Sequence, residues 1–210
     1  MASLTKQLDE LKRFDDRHRW LLDADLTYCA GRYLTIKDVF FFRPAGGYLL
    51  HQSAEKYLKS LRKVLLPDIV VLQHGHKLKL LLNDIKQELN SQCVERLTKA
   101  IGKIEPLKDF RYPDKKGDKS LKIMKVGLCA VDDLVACVRN EIGRIEIERE
   151  LFLTHKAIRR YIKQSDDKQR KLVIESLLVS NLFSDYWIGH LSGIDSEVNH
   201  QLKSKLIKVN

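Results

Sequence analysis

The sequence predicts an all-α fold, an up-and-down bundle of four to five helices with a helical C-terminal extension. Two observations carry the prediction. Apolar residues recur at steps of three and four along most of the chain, the period of an amphipathic helix. Four prolines and ten glycines in 210 residues are too few for an all-β or disordered chain. With 44% of residues apolar, a core can form without disulfide or metal staples.

In chain order, residues 3–22 alternate charge with Leu4, Leu8, Leu11 and Phe14, a helix with a thin apolar stripe. Residues 23–39 continue with Leu26, Cys29, Ala30, Tyr33 and Ile36, ended by Phe40-Phe41-Phe42-Arg43-Pro44. The next helix spans 48–65, with Leu50, Ala54, Tyr57, Leu61 and Leu65 on its apolar side. Gln52, Lys56, Lys59 and Lys63 repeat the same steps opposite, where the plain reading is a solvated face. Glu55 precedes Lys59 by four residues, the favourable order for an ion pair. Gly46 and Gly47 suggest a turn before this helix, and Pro67 forbids its continuation.

His76 opens a helix carrying Leu78, Leu81, Leu82, Ile85 and Leu89 to about Asn90. No cysteine or carboxylate stands at ligand spacing beside His74 and His76, so no metal is expected. Val94, Leu97, Ile101 and Ile104 mark a short helix over 91–104, which Pro106 closes. Residues 106–119 read as a polar loop. From Leu121 the seam Met124, Leu128, Val131, Val135, Val138, Ile142 and Ile145 is the cleanest in the chain. It breaks at Arg149, and a rotated stripe from Ile147 begins an extension. Ser165-Asp166-Asp167 caps a last helix, about 168–191, before a weaker tail. Three parts are therefore expected: an N-terminal helix (1–20), a bundle (21–142) and an extension (143–210).

A formal charge of +10 and a pI near 9.4 favour anionic partners. Basic residues concentrate between Lys108 and Lys125 and again from Arg159 to Lys171. No apolar run is long enough to span a membrane, and the N-terminus lacks a secretory apolar region, so a cytoplasmic location is expected. Cys29, Cys93, Cys129 and Cys137 form no CxxC pair and are read as reduced and structural.

Three segments resemble one family. Tyr48-Leu49-Leu50-His51-Gln52-Ser53-Ala54-Glu55-Lys56-Tyr57-Leu58-Lys59 is similar to a signature helix of HEPN domains. His76-Lys77-Leu78 with Leu81 and Leu82 resembles the start of that family's next helix, and Arg111-Tyr112-Pro113-Asp114 its RYPD loop. The resemblance spans about 21–142. It implies a homodimeric bundle that binds RNA or a nucleotide phosphate without a cofactor. It also implies that the stripe and the loop are neighbours, with Gln52, Lys56, Lys59, His76, Arg111, Tyr112, Lys115 and Lys116 contacting the ligand.

Some HEPN members are metal-independent ribonucleases using an arginine and a histidine four to six residues beyond it. The best-placed arginine here is Arg139, followed by Asn140, but Arg144, Ile145 and Glu146 occupy the histidine positions. Arg149 and His155 are the reserve pair, weakened by Glu150. Arg13 and His18 fit by spacing but precede the resembling region. Asp132 and Asp133 are adjacent, so they point to different helix faces. The expectation is a non-catalytic module. The alternatives are an endoribonuclease toxin, paired with a nucleotidyltransferase-type antitoxin, and a protein-interaction scaffold.

Overall fold

The computed structural model describes residues 2–36, 43–67, 77–111 and 120–145, with 166 and 168, and of these the side chains of 19–36, 44–67, 77–111, 122–143, 166 and 168. The described residues are helical with no strand, as expected. They form α1 (Ala2–Ile36), α2 (Arg43–Leu65), α3 (Leu78–Ile85), α4 (Ser91–Ile104), a 3₁₀ helix (Glu105–Arg111) and α5 (Ser120–Ile145). The C-terminal helix and tail expected over 168–210 lie outside the described residues, apart from Lys168.

The helices expected over 3–22 and 23–39 are one continuous helix, α1. The boundary drawn at residue 20 therefore falls inside a helix. The side that meets the core is not the expected stripe: Leu21, Ala24 and Tyr28 are buried, whereas Leu26 and Ala30 are exposed and Cys29, Tyr33 and Ile36 only partly buried. The larger surprise is α2. Gly46 and Gly47 do not turn the chain but lie within the helix, which begins at Arg43. Pro44 suits that first turn, where a missing N–H costs nothing.

The glycines serve close approach instead. A Cβ on Gly46 would sit 2.6 Å from Thr35 Oγ1, and one on Gly31 would sit 2.9 Å from the Leu50 nitrogen. Both lie where antiparallel α1 and α2 touch. Bare backbone at the contact brings the helix axes nearer than side chains allow. Pro67 stops α2 after Leu65, as expected.

α3 is shorter than the periodicity suggested. It ends at Ile85, and Leu89 is buried from a bend rather than a helix. Asn90 does not extend it. Its side chain accepts the Cys93 N–H at 2.8 Å, making it the N-cap of α4. The cap interrupts a helical pattern that burial alone would have continued. α4 itself has the bounds expected.

The stretch read as a polar loop from residue 106 begins as a 3₁₀ helix with Leu107 and Phe110 buried. Two apolar side chains three residues apart stack on one face of that tighter helix. On α5, Met124, Leu128, Val131, Val135, Val138 and Ile142 are all buried, as the seam predicts.

The core joins these elements in the order α1, α2, α5, α4, with α3 bridging α2 and α4. Arg62 ties α2 to α3 through Asp84 at 2.7 Å. On α4 and α5, which run antiparallel, Arg96 pairs with Asp133 at 2.5 Å.

The crossing of α1 and α2 is testable by one methyl group. Gly31→Ala places that methyl against backbone atoms that cannot swing aside. It is expected to lower stability by roughly 1–3 kcal/mol despite the better helix propensity. Gly102→Ala in α4 meets nothing within 4 Å and is expected to stabilise by about 1 kcal/mol. Urea midpoints of the two variants, measured side by side, check both signs.

Candidate functional site

The predicted stripe of α2 is present, but it is not a solvated face. Lys56 Nζ donates to Thr27 Oγ1 at 2.7 Å and pairs with Asp23 at 2.8 Å. Lys59 pairs with Glu55 at 2.5 Å, the expected helical pair, and its ammonium lies 5.2 Å from the centre of the Trp20 ring. Lys63 reaches the same ring at 5.9 Å. Both distances are within cation–π range. The stripe thus lies along α1, and its charge is partly offset there. The side chains of Lys56 and Lys59 are only 24% and 16% exposed.

At the other end of the stripe, Gln52 Nε2 donates to the Tyr48 hydroxyl at 3.1 Å. The exposed Arg111 guanidinium lies 5.9 Å from the centre of the Tyr48 ring. Local packing explains why Arg111 arrives there. Phe110 is held against Gly47, where a Cβ would stand 3.0 Å from Phe110 Cδ2. The next residue of the 3₁₀ helix is then beside Tyr48, one helical position beyond Gly47. Gln52 and Arg111, far apart in sequence, therefore meet on one tyrosine.

Of the remaining predicted site residues, His76, Tyr112, Lys115, Lys116, Arg149 and His155 lie outside the described residues. Among the described residues, no three His, Cys, Asp or Glu side chains are grouped to hold a metal. No described helix is long and apolar enough to cross a membrane.

Arg139, the arginine best placed for a ribonuclease motif, is in the core. Its guanidinium pairs with Asp25, which also accepts the Tyr57 hydroxyl. A matching set lies alongside. Asp132 pairs with Arg32 and accepts the Tyr28 hydroxyl at 2.7 Å. The Tyr28 and Tyr57 rings meet edge to face, 6.2 Å between centroids. All four charged side chains of the two pairs are fully buried. Asp132 and Asp133 do point to different faces, one to Arg32 and the other to Arg96.

This double network was not anticipated from the sequence, yet it left a signal. Asp25 and Arg32 are seven residues apart, and so are Asp132 and Arg139. Seven residues return to nearly the same helix face, so each helix carries an acid and a base within its apolar side.

A second basic surface also escaped the sequence reading. A groove of about 490 Å³ between α4 and α5 is lined by Arg96, Lys99, Lys103 and Lys125 above Val126 and Cys129.

Compared with models of known protein families, with curated proteins and with solved structures, the chain matches none.

Burial, and then the neighbouring Asp132 and Asp25 carboxylates, push Tyr28 and Tyr57 well above the ordinary tyrosine value of 10.0. Both folded values lie above the unfolded one. Their contribution to stability is therefore whole below that ordinary value and is lost as pH rises toward the folded values. Ultraviolet titration, compared with that of Tyr28→Phe and Tyr57→Phe variants, is expected to show these two tyrosines ionising only as the protein unfolds.

Arg139→Met strands a buried carboxylate and is expected to cost about 3–5 kcal/mol. Adding Asp25→Leu and Tyr57→Phe to it is expected to recover most of that loss in the same urea measurement. A core role predicts this recovery.

Proposed function

We propose that the protein is a non-catalytic, HEPN-like module that binds RNA or a nucleotide phosphate along the α2 stripe and works as a homodimer. One observation carries the reading. A ring and cations meet at each end of the α2 stripe, Arg111 of the 3₁₀ helix over Tyr48 at one end and Lys59 and Lys63 over Trp20 of α1 at the other, with Gln52 and Lys56 between. Rings and cations set close together in this way suit single-stranded nucleic acid. Cations follow the backbone while rings offer faces to bases, with little demand on sequence.

The two ends of the stripe differ in the part they take. Lys56 and Lys59 already answer Asp23 and Glu55, so they chiefly hold the stripe in place. Arg111 is exposed and is followed in sequence by Lys115 and Lys116, so phosphate contact concentrates at the Tyr48 end. The net charge of +10 draws a polyanion toward the molecule from a distance. Arg139 itself is withheld from cleavage, because its guanidinium is held by Asp25 in the interior.

Fluorescence anisotropy with a labelled single-stranded RNA tests the proposal. Binding is expected at low ionic strength, with log K falling by about 0.7 per phosphate contact for each unit of log salt. Tyr48→Ala is expected to weaken it by about 1–3 kcal/mol, and Arg111→Ala to remove about one phosphate from the slope. Paired Lys103→Glu and Lys125→Glu changes, in the α4–α5 groove, are expected to leave the slope unaltered. Absence of binding at low salt, or affinity indifferent to salt, would rule the module out as an RNA binder. A monomer in sedimentation equilibrium would remove the homodimer.

A further inference from the structure

α4 and α5 are joined by three successive rungs. Asn90 donates to Glu141 at 3.1 Å at one side, and Arg96 to Asp133 at 2.5 Å at the other. Between them, Cys93 Sγ and Cys137 Sγ are 2.8 Å apart. That separation is well inside ordinary van der Waals contact. Both thiols are buried within regular helices, and both are free. The polar rungs on either side hold the helix register, so the sulfurs stay opposed. Cys29 and Cys129, also outside any disulfide, are only partly buried.

We propose that Cys93 and Cys137 are a dithiol site that a small hydroperoxide converts into an intramolecular disulfide, linking α4 to α5. The α4–α5 groove comes close to it: its lining includes Arg96 and Asp133, the rung next to the thiols, together with Cys129, so a small opening of that rung would admit the peroxide. Cys137 is the attacking sulfur. Either sulfur can donate the hydrogen bond they share; with the Cys93 thiol as donor, that bond and then the Arg96 guanidinium hold the Cys137 thiol below its ordinary value. The same hydrogen bond, with burial second, pushes Cys93 up, which keeps it protonated as the donor.

The chemistry balances in two steps. The Cys137 thiolate attacks the peroxide O–O bond; an S–O bond forms, the O–O bond breaks, and the alkoxide or hydroxide leaving group takes a proton from solvent. Cys137 is then a sulfenic acid. The Cys93 sulfur, giving up its proton, attacks the Cys137 sulfur; an S–S bond forms, the S–O bond breaks, and water leaves. Together the two thiols lose two electrons and two protons. The hydroperoxide is reduced to an alcohol, or to water when it is hydrogen peroxide, and one further water is formed.

The experiment treats the folded full chain with hydrogen peroxide, then denatures it, alkylates remaining thiols and maps peptides by mass. A single linked peptide joining Cys93 to Cys137 is expected, two hydrogens lighter than the reduced pair and cleaved by dithiothreitol. Cys29 and Cys129 should appear in no linked peptide. The oxidised protein should also melt at a higher temperature, because a cross-link restricts the unfolded chain. In Cys93→Ser, dimedone should trap a sulfenic acid at Cys137; in Cys137→Ser, Cys93 should label more slowly at the same dose. The site is overturned if Cys93 and Cys137 both stay alkylatable at a dose that oxidises the denatured chain. It is equally overturned if the folded protein spreads its cross-links over other cysteine pairs. Equal dimedone labelling in the two variants would overturn Cys137 as the attacker.

Discussion

The architecture depends on an exchange of charges between α1 and α5. Asp25 of α1 meets Arg139 of α5, and Arg32 of α1 meets Asp132 of α5. Each helix carries an acid and, seven residues later, a base, so only antiparallel packing pairs unlike charges. Parallel packing would set acid on acid and base on base in a medium of low dielectric. A slip of one turn would leave charges stranded. Buried pairs of this kind add little net stability, since desolvation consumes most of the attraction. Their effect here is to exclude alternative orientations and registers. The tyrosines complete the arrangement: Tyr57 brings α2 into the same network, and its ring meets Tyr28 across the α1–α2 contact.

With α1 so placed, α2 is positioned by bare backbone. Gly31 and Gly46 let the two helices touch, and Gly47 leaves room for Phe110. Two consequences reach the functional surface. The lysine stripe is drawn against Asp23, Thr27 and Trp20, so its cations are ordered and partly neutralised. Arg111 is delivered to Tyr48, where Gln52 already stands. The exposed end of the stripe therefore differs in character from its middle, although the sequence spacing treats the positions alike.

How much could be read beforehand varied with the kind of signal. The apolar stripes of α2, α4 and α5 were legible because burial repeats with the helix period, and the bounds of α4 and the stop at Pro67 were met. Gly46 and Gly47 misled because glycine serves both turns and close contacts, and only a neighbouring helix distinguishes the two. Leu89 misled because a buried leucine in a bend has the same spacing as one in a helix. Of the proposed ligand-contacting residues, Gln52 and Arg111 lie together at Tyr48, while Lys56 and Lys59 turn toward α1. The Cys93–Cys137 contact had no local signature at all, since its partners lie on different helices.

The sequence by itself determined that the described chain is helical and which side of most helices faces inward, because those properties are written every three or four residues. Only the tertiary structure decided what each charged or sulfur-bearing side chain meets. A periodic pattern places a residue on a face. The order, direction and register of the helices then choose its partner. That choice makes Arg139 part of the core, Lys56 a tie to α1 and Arg111 an exposed cation beside Tyr48.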